Sequence, residues 1–202
     1  MGIMIAVLGA TAGVSFWKLT QARNQALNSS LIVLPEPRVV EDFSLTDQHS
    51  QPFSLAELRG HWSLIFFGFT NCPDVCPGTL YDLQKVNEAI EQQLEADKPR
   101  PQILFVSVDP ERDSPGKMEQ YLSYFDPGFI GLTGDHVQLL PLTRQLGIAY
   151  RIEDHDPGVT QYGVDHSASI LLTDREGQLF GVFPAPHDSS KISADLLTVI
   201  RD

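Results

Sequence analysis

Two cysteines stand in the stretch "FFGFTNCPDVCPGTLYDL", residues 66–83, and the chain has no others. Cys72 and Cys76 are separated by three residues, and a proline follows each. A thiolate is both a nucleophile and a soft metal ligand, so the pair supports either disulfide exchange or metal binding. With both cysteines in one motif, no structural disulfide framework remains to be built. The inert alternative is a pair of small core residues, since free cysteine is among the most buried types. Asn71, Asp74 and the two prolines do not suit a dry core. Pro73, Asp74, Pro77 and Gly78 read instead as a turn entering a helix, where backbone N–H groups and the helix dipole favour thiolate.

Spacing begins to separate the two chemistries. Residues i and i+4 on a helix lie about 6 Å apart along the axis on nearly one face. A disulfide needs Cα atoms roughly 4.4–6.8 Å apart, so a bridge forms with some backbone adjustment, while an ion between two sulfurs fits the gap comfortably. Zinc would require two further ligands from His or carboxylate. Two thiolates and one imidazole suit copper, above all Cu(I).

The elements that must position these residues follow from periodicity. Continuous apolar runs at 62–69 (WSLIFFGF) and 102–108 (QILFVSV) read as buried strands. After the cysteines, Leu80, Leu83, Val86, Ile90 and Leu94 recur at helical spacing, and that helix stops before Pro99. Met118, Tyr121, Leu122 and Phe125 form a second helical stripe. "FIGLTG" precedes a helix over 135–146, in which Pro141 implies a kink or an early stop. "DFSLTDQHSQPFSL" reads as one hairpin, and "ASILLTD" with "QLFGVF" as another. "SSKISADLLTVI" closes as a helix with a Ser cap and Ile192, Leu196 and Val199 on one face. "DPERDSP" reads as a capped loop after a strand.

Alternating strands and helices predict an α/β domain: a central sheet with flanking helices and an N-terminal hairpin extension. The cysteine motif at the first strand-to-helix turn is the layout of a thioredoxin-like fold. In such a fold the loop before the "ASILLTD" strand lies beside that turn, and redox members carry a cis-proline there. Here His166 and Ser167 occupy the segment, which argues for binding over disulfide exchange. Of the six histidines, His166 is therefore the candidate third ligand. His49, His61, His136, His155 and His187 read as surface or hydrogen-bonded residues.

Residues 1–17, "MGIMIAVLGATAGVSFW", carry no charged side chain and read as an N-terminal membrane anchor, with a cleaved signal sequence as the alternative. Residues 18–38 mix polar residues with Pro35 and Pro37 and read as a linker, so the folded domain is expected over 39–202. A formal net charge of −12 leaves no cationic footprint for a nucleic-acid partner.

"FGFTNCPDVCPGTL", "FVSVDPERDSP" and "DHSASILLTDREGQLFGVF", in that order, resemble the Sco/SenC family of copper chaperones for cytochrome c oxidase assembly, over about residues 39–202. The resemblance implies Cys72, Cys76 and His166 as copper ligands, for Cu(I), Cu(II) or both. It also implies delivery to the binuclear copper centre of oxidase subunit II, or reduction of that subunit's cysteines as a thiol-disulfide oxidoreductase would perform it. Asp74 and Asp109 match motif positions of the family but read as turn residues, not ligands. A site on the periplasmic face of a bacterial inner membrane would oxidise nearby thiols, so a periplasmic thiol reductant is a further expected partner. Peroxidase chemistry is a weaker reading, because it needs one strongly activated thiol. Met1, Met4 and Met118 are the only methionines, so any handoff rests on this one site.

Overall fold

The computed structural model describes residues 29–95 and 98–201. Its central feature is an eight-stranded mixed sheet. In chain order the strands are β1 (Ile32–Arg38), β2 (Ser44–Asp47), β3 (Pro52–Ser54), β4 (Ser63–Gly68), β5 (Gln102–Ser107), β6 (Ile130–Thr133), β9 (Ile170–Thr173) and β10 (Leu179–Phe183). The spatial order is β1-β10-β9-β4-β5-β6-β2-β3. β4, β5 and β6 are parallel, and the remaining pairs are antiparallel. A separate ribbon pairs β7 (Tyr150–Ile152) with β8 (Val164–His166).

All six residues of β4 are buried, because helices cover the sheet on both faces. One face carries α2 (Val75–Gln93) and α5 (Ser189–Arg201), whose Leu80, Leu83, Ile192 and Leu196 pack with Phe66, Phe105 and Ile170. The opposite face takes α1 (Leu55–Leu58) and α4 (His136–Leu146), which bring Leu58, Leu139 and Leu142 against Ile65, Phe67 and Leu104. Even and odd residues of β4 thus serve two cores, as the period of a strand requires. α3 (Pro115–Leu122) packs beside β6 through Met118 and Leu122. This is the thioredoxin-like α/β architecture expected, with the β2–β3 hairpin extending the sheet beyond β6.

Three expectations change. The linker expected over 18–38 does not reach Arg38, because β1 pairs with β10 at the sheet edge. Pro35 and Pro37 hid this strand, yet an edge strand tolerates proline on its unpaired side. Ser30 and Leu31 anchor its start by donating backbone N–H bonds to Asp195 on α5, at 2.7 and 3.1 Å. α4 has the span expected, and only an early stop at Pro141 does not occur: the helix continues to Leu146, stabilised by an Asp135–Gln138 capping box and ended by Gly147 at φ +73°. The cap of α5 is Asp188, whose Oδ1 accepts from the N–H groups of Ser190 and Lys191 at 3.1 and 3.2 Å. Among the described residues no helix is long and apolar enough to cross a membrane; the anchor expected over 1–17 lies outside them.

Candidate metal centre

β4 ends at Gly68, and the chain turns so that Cys72 N–H donates to Phe69 O at 3.3 Å. α2 begins at Val75, making Cys76 its second residue and Pro77 its third, where no helical N–H bond is lost. Asp74 is the N-cap residue, exposed and without a side-chain capping bond. Cys72 therefore lies in the turn, not on the helix. Its Sγ accepts the Cys76 backbone N–H at 3.4 Å. Cys76 is wholly buried and Cys72 is half-buried, and both thiols are free. Burial, then the neighbouring Cys72 and Asp113, push the Cys76 thiol well above its usual range. The expectation that the helix N-terminus favours thiolate thus fails for Cys76, where desolvation outweighs the dipole.

His166 ends β8. Its neighbour Ser167 locks the ribbon by donating its N–H to Ala149 O at 2.9 Å and accepting the Ala149 N–H on Oγ at 3.0 Å. The imidazole Nδ1 is 3.0 Å from Ser167 O, an acceptor only, so Nδ1 carries the proton and Nε2 presents a lone pair. Phe66 and Phe69 meet the ring edge to face at 6.0 and 5.8 Å. Nε2 lies 3.3 Å from Cys76 Sγ, which donates its S–H there.

The structure thus brings Cys72, Cys76 and His166 together, with their ligand atoms all within 4.8 Å of one another. Bond lengths of roughly 2.0–2.3 Å to a first-row ion put three trigonal ligands roughly 3.5–4.0 Å apart. The 3.3 Å from Nε2 to Cys76 Sγ is just short of that span, and no two of the three ligand atoms are more than 4.8 Å apart. Two sulfurs and one unprotonated imidazole nitrogen form a soft donor set, and it fits copper. Among the described residues no other group of three metal-binding side chains converges.

The remaining histidines lie elsewhere. His49 faces Glu119, His136 stacks on Tyr150, and His155 stacks on Tyr162 at 3.7 Å between ring centroids. His61 is exposed, and half-buried His187 contacts Thr79 Oγ1 at 3.4 Å. Asp109 is no ligand either: it is buried, accepting the Tyr162 hydroxyl at 2.7 Å and the Arg112 Nε–H. Sequence reasoning missed the burial of Asp109 and Asp113, for which an acid–Arg–acid run directly after a buried strand is the signal. It also missed Gly68. A Cβ there would come within 2.6 Å of Cys76 Sγ and 2.8 Å of the Phe105 ring, so only glycine leaves room for the sulfur.

A family model described as SCO1/SenC matches residues 34–201. A protein of Stutzerimonas stutzeri named for copper binding is 38% identical over 169 residues, covering 83% of this chain and 80% of that protein. The mouse mitochondrial SCO2 homolog is 38% identical over 180 residues, which are 87% of this chain but 65% of the mouse protein, just under two thirds of its length. Among solved structures, Bradyrhizobium japonicum ScoI with copper bound superposes with a TM-score of 0.69 at 36% identity, covering 79% of this chain and 98% of the other. Yeast Sco1 with copper bound gives 0.75 at 30% identity, over 82% and 90%. The match spans the sheet, both helical layers and all three converging residues, and the chain belongs to the SCO1/SenC family.

Proposed function

We propose that this protein binds one copper ion through Cys72, Cys76 and His166 and passes it to the binuclear copper centre of cytochrome c oxidase subunit II during assembly. The observation that carries the reading is the convergence of two thiols and a bare imidazole nitrogen on one point beyond the C-terminal end of the central strand β4. Copper-bound relatives of the same family support it. The ligands divide the work. Cys76 sits at the floor of the site and gives up its thiol proton when the metal enters, so loading releases acid. Cys72, half-buried in the turn, is the ligand a partner's thiolate can approach. Three protein ligands leave one side of the ion open, and exchange through shared thiolates avoids releasing free copper. The uncharged composition of residues 1–17 supports tethering at the periplasmic face of a bacterial inner membrane, where a thiol reductant would keep both cysteines reduced.

The test is copper bound per reduced, anaerobic protein in competition with a Cu(I) chelator. One tight equivalent is expected, lost in Cys72→Ser and Cys76→Ser. Binding by Cys72→Ser equal to wild type would sink the assignment. Delivery is read by mixing loaded protein with the metal-free copper domain of subunit II and following the spectrum of the binuclear centre.

A second reading, reduction of a partner's disulfide, is supported by two free thiols whose sulfurs are within bridging reach after small movement. Cys72 would attack and Cys76 would resolve. A redox titration separates the two: a Cys72–Cys76 disulfide that cycles with a protein substrate while copper binds weakly favours reduction.

A further inference from the structure

The loop between β5 and α3 reaches both ligand-bearing segments. On the cysteine side, Asp113 is fully buried and accepts from the Thr70 N–H at 2.8 Å, the Thr70 hydroxyl at 2.5 Å and Ser107 Oγ at 2.7 Å. Thr70 stands two residues before Cys72. Lys117 compensates the charge at 3.3 Å and also donates to Asn71 Oδ1 at 2.7 Å. On the histidine side, Asp109 holds the Tyr162 hydroxyl and the Arg112 Nε–H. Arg112 Nη1 then donates to the carbonyls of Thr160 and Tyr162 at 3.1 and 3.0 Å, in the loop that leads into β8. Its guanidinium lies 3.7 Å from the Tyr162 ring centroid and 5.4 Å from that of Phe69, which abuts the His166 ring.

These contacts matter because the β7–β8 ribbon has two strands of three residues and, among the described residues, joins no other sheet. Such a ribbon is marginal alone, so the place of His166 relative to Cys76 must be fixed from outside it. Arg112 is 8% exposed and Asp109 not at all, and among the described residues Arg112 Nη2 is buried without a partner. Part of the guanidinium's bonding capacity is thus given up to hold this position.

We infer that Arg112 is a positioning residue for His166: through the 160–162 backbone, the Tyr162 ring and Phe69 it holds the imidazole at Cys76. Asp113 ties the same loop to the cysteine turn, so both halves of the site share one bracket. The inference rests on the copper reading only for its metal-binding arm. A lysine at 112 keeps the charge beside Asp109 but lacks the planar fork that reaches two carbonyls and stacks on rings.

The experiment uses the full-length protein with Arg112→Lys, and with Tyr162→Phe as a milder variant should the first not fold. In the metal-free state, proton NMR follows the contact between the His166 and Phe69 rings. In the loaded state, Cu(I) and Cu(II) affinities are measured with and without His166→Ala. Arg112→Lys is expected to lose the ring contact and to lower Cu(II) affinity about 10–100-fold, the range of outer-shell changes, with a smaller loss for Cu(I). In the His166→Ala background it should cost nothing further for Cu(II). Tyr162→Phe should act in the same direction, more weakly. An unchanged ring contact, or an equal Cu(II) loss in both backgrounds, would show that Arg112 serves the fold alone and overturn the inference. A wild-type protein that binds no copper, with the ring contact still lost in Arg112→Lys, would overturn the copper reading and leave the positioning role standing.

Discussion

Cys76 is fixed in the first turn of a 19-residue helix packed on the sheet, whereas His166 ends a three-residue strand in a ribbon outside that sheet. The first is held by apolar burial: Leu80, Leu83 and Val86 continue its helix into the core, each fully buried. The second is held by hydrogen bonds and ring contacts through Ser167, Tyr162 and Arg112. A close-packed core holds its members in place as a unit, while a polar tether moves when one link is cut. The Cys76 sulfur therefore anchors the cysteine side as a platform, to which the turn ties Cys72, and the imidazole is the adjustable ligand. The ion transfer proposed above would draw on both properties.

The largest effect should come from the platform. Cys72→Ser and Cys76→Ser should each reduce Cu(I) affinity by well over the roughly 100-fold of an outer-shell change, because a hydroxyl is a poor ligand for a soft ion. Chelator competition reads this, and retention of tight binding by either variant would dissolve the distinction between platform and tether. His166→Ala comes next. It should weaken Cu(II) by at least about tenfold more than Cu(I), since imidazole matters more to the harder ion. Equal losses in both oxidation states would make His166 part of the platform.

A matched pair of glycines sharpens the comparison at smaller scale. Gly68→Ala drives a Cβ into Cys76 Sγ and the Phe105 ring, and overpacking of this kind costs about 1–3 kcal/mol. Gly163→Ala, in the loop before β8, meets only the exposed Glu153 carboxylate at 2.8 Å, which must move off the Gly163 N–H it accepts. It should cost about 0.5–1 kcal/mol, less than the change at 68. Urea unfolding of the two metal-free variants decides; a larger loss at 163 would reverse the assignment of rigidity.

The smallest effect concerns pH. Burial pushes the His187 imidazole, which touches Thr79 on α2, below its ordinary value of 6.5. As pH falls through about 6.5 the unfolded chain takes up this proton while the folded chain does not, so stability drops with acidification. His187→Gln should make that drop shallower between pH 7.5 and 5.5 in denaturant titrations. An unaltered slope would assign the acid sensitivity to another group.

Much of this was legible in the chain. Strands β4 and β5, helix α2 and the closing hairpin announce themselves through periodicity and length, because each buries a whole face or stripe. The cysteine turn was readable because prolines and a capping position punctuate it. Strand β1 was not, since its two prolines imitate a linker and its pairing partner lies far downstream. Nor was the burial of Asp109 and Asp113, whose partners Tyr162 and Thr70 come from other segments.

By itself the sequence determined which donors this protein has: two thiols at one spacing, and one histidine before a buried strand. Those are properties of residue type and local pattern. Only the tertiary structure decided that the imidazole turns Nε2 to Cys76, that Cys76 is held as a thiol by burial, and that one loop ties both halves together. Each of these depends on contacts between segments distant in the chain, and on the low dielectric those contacts create, which no local pattern records.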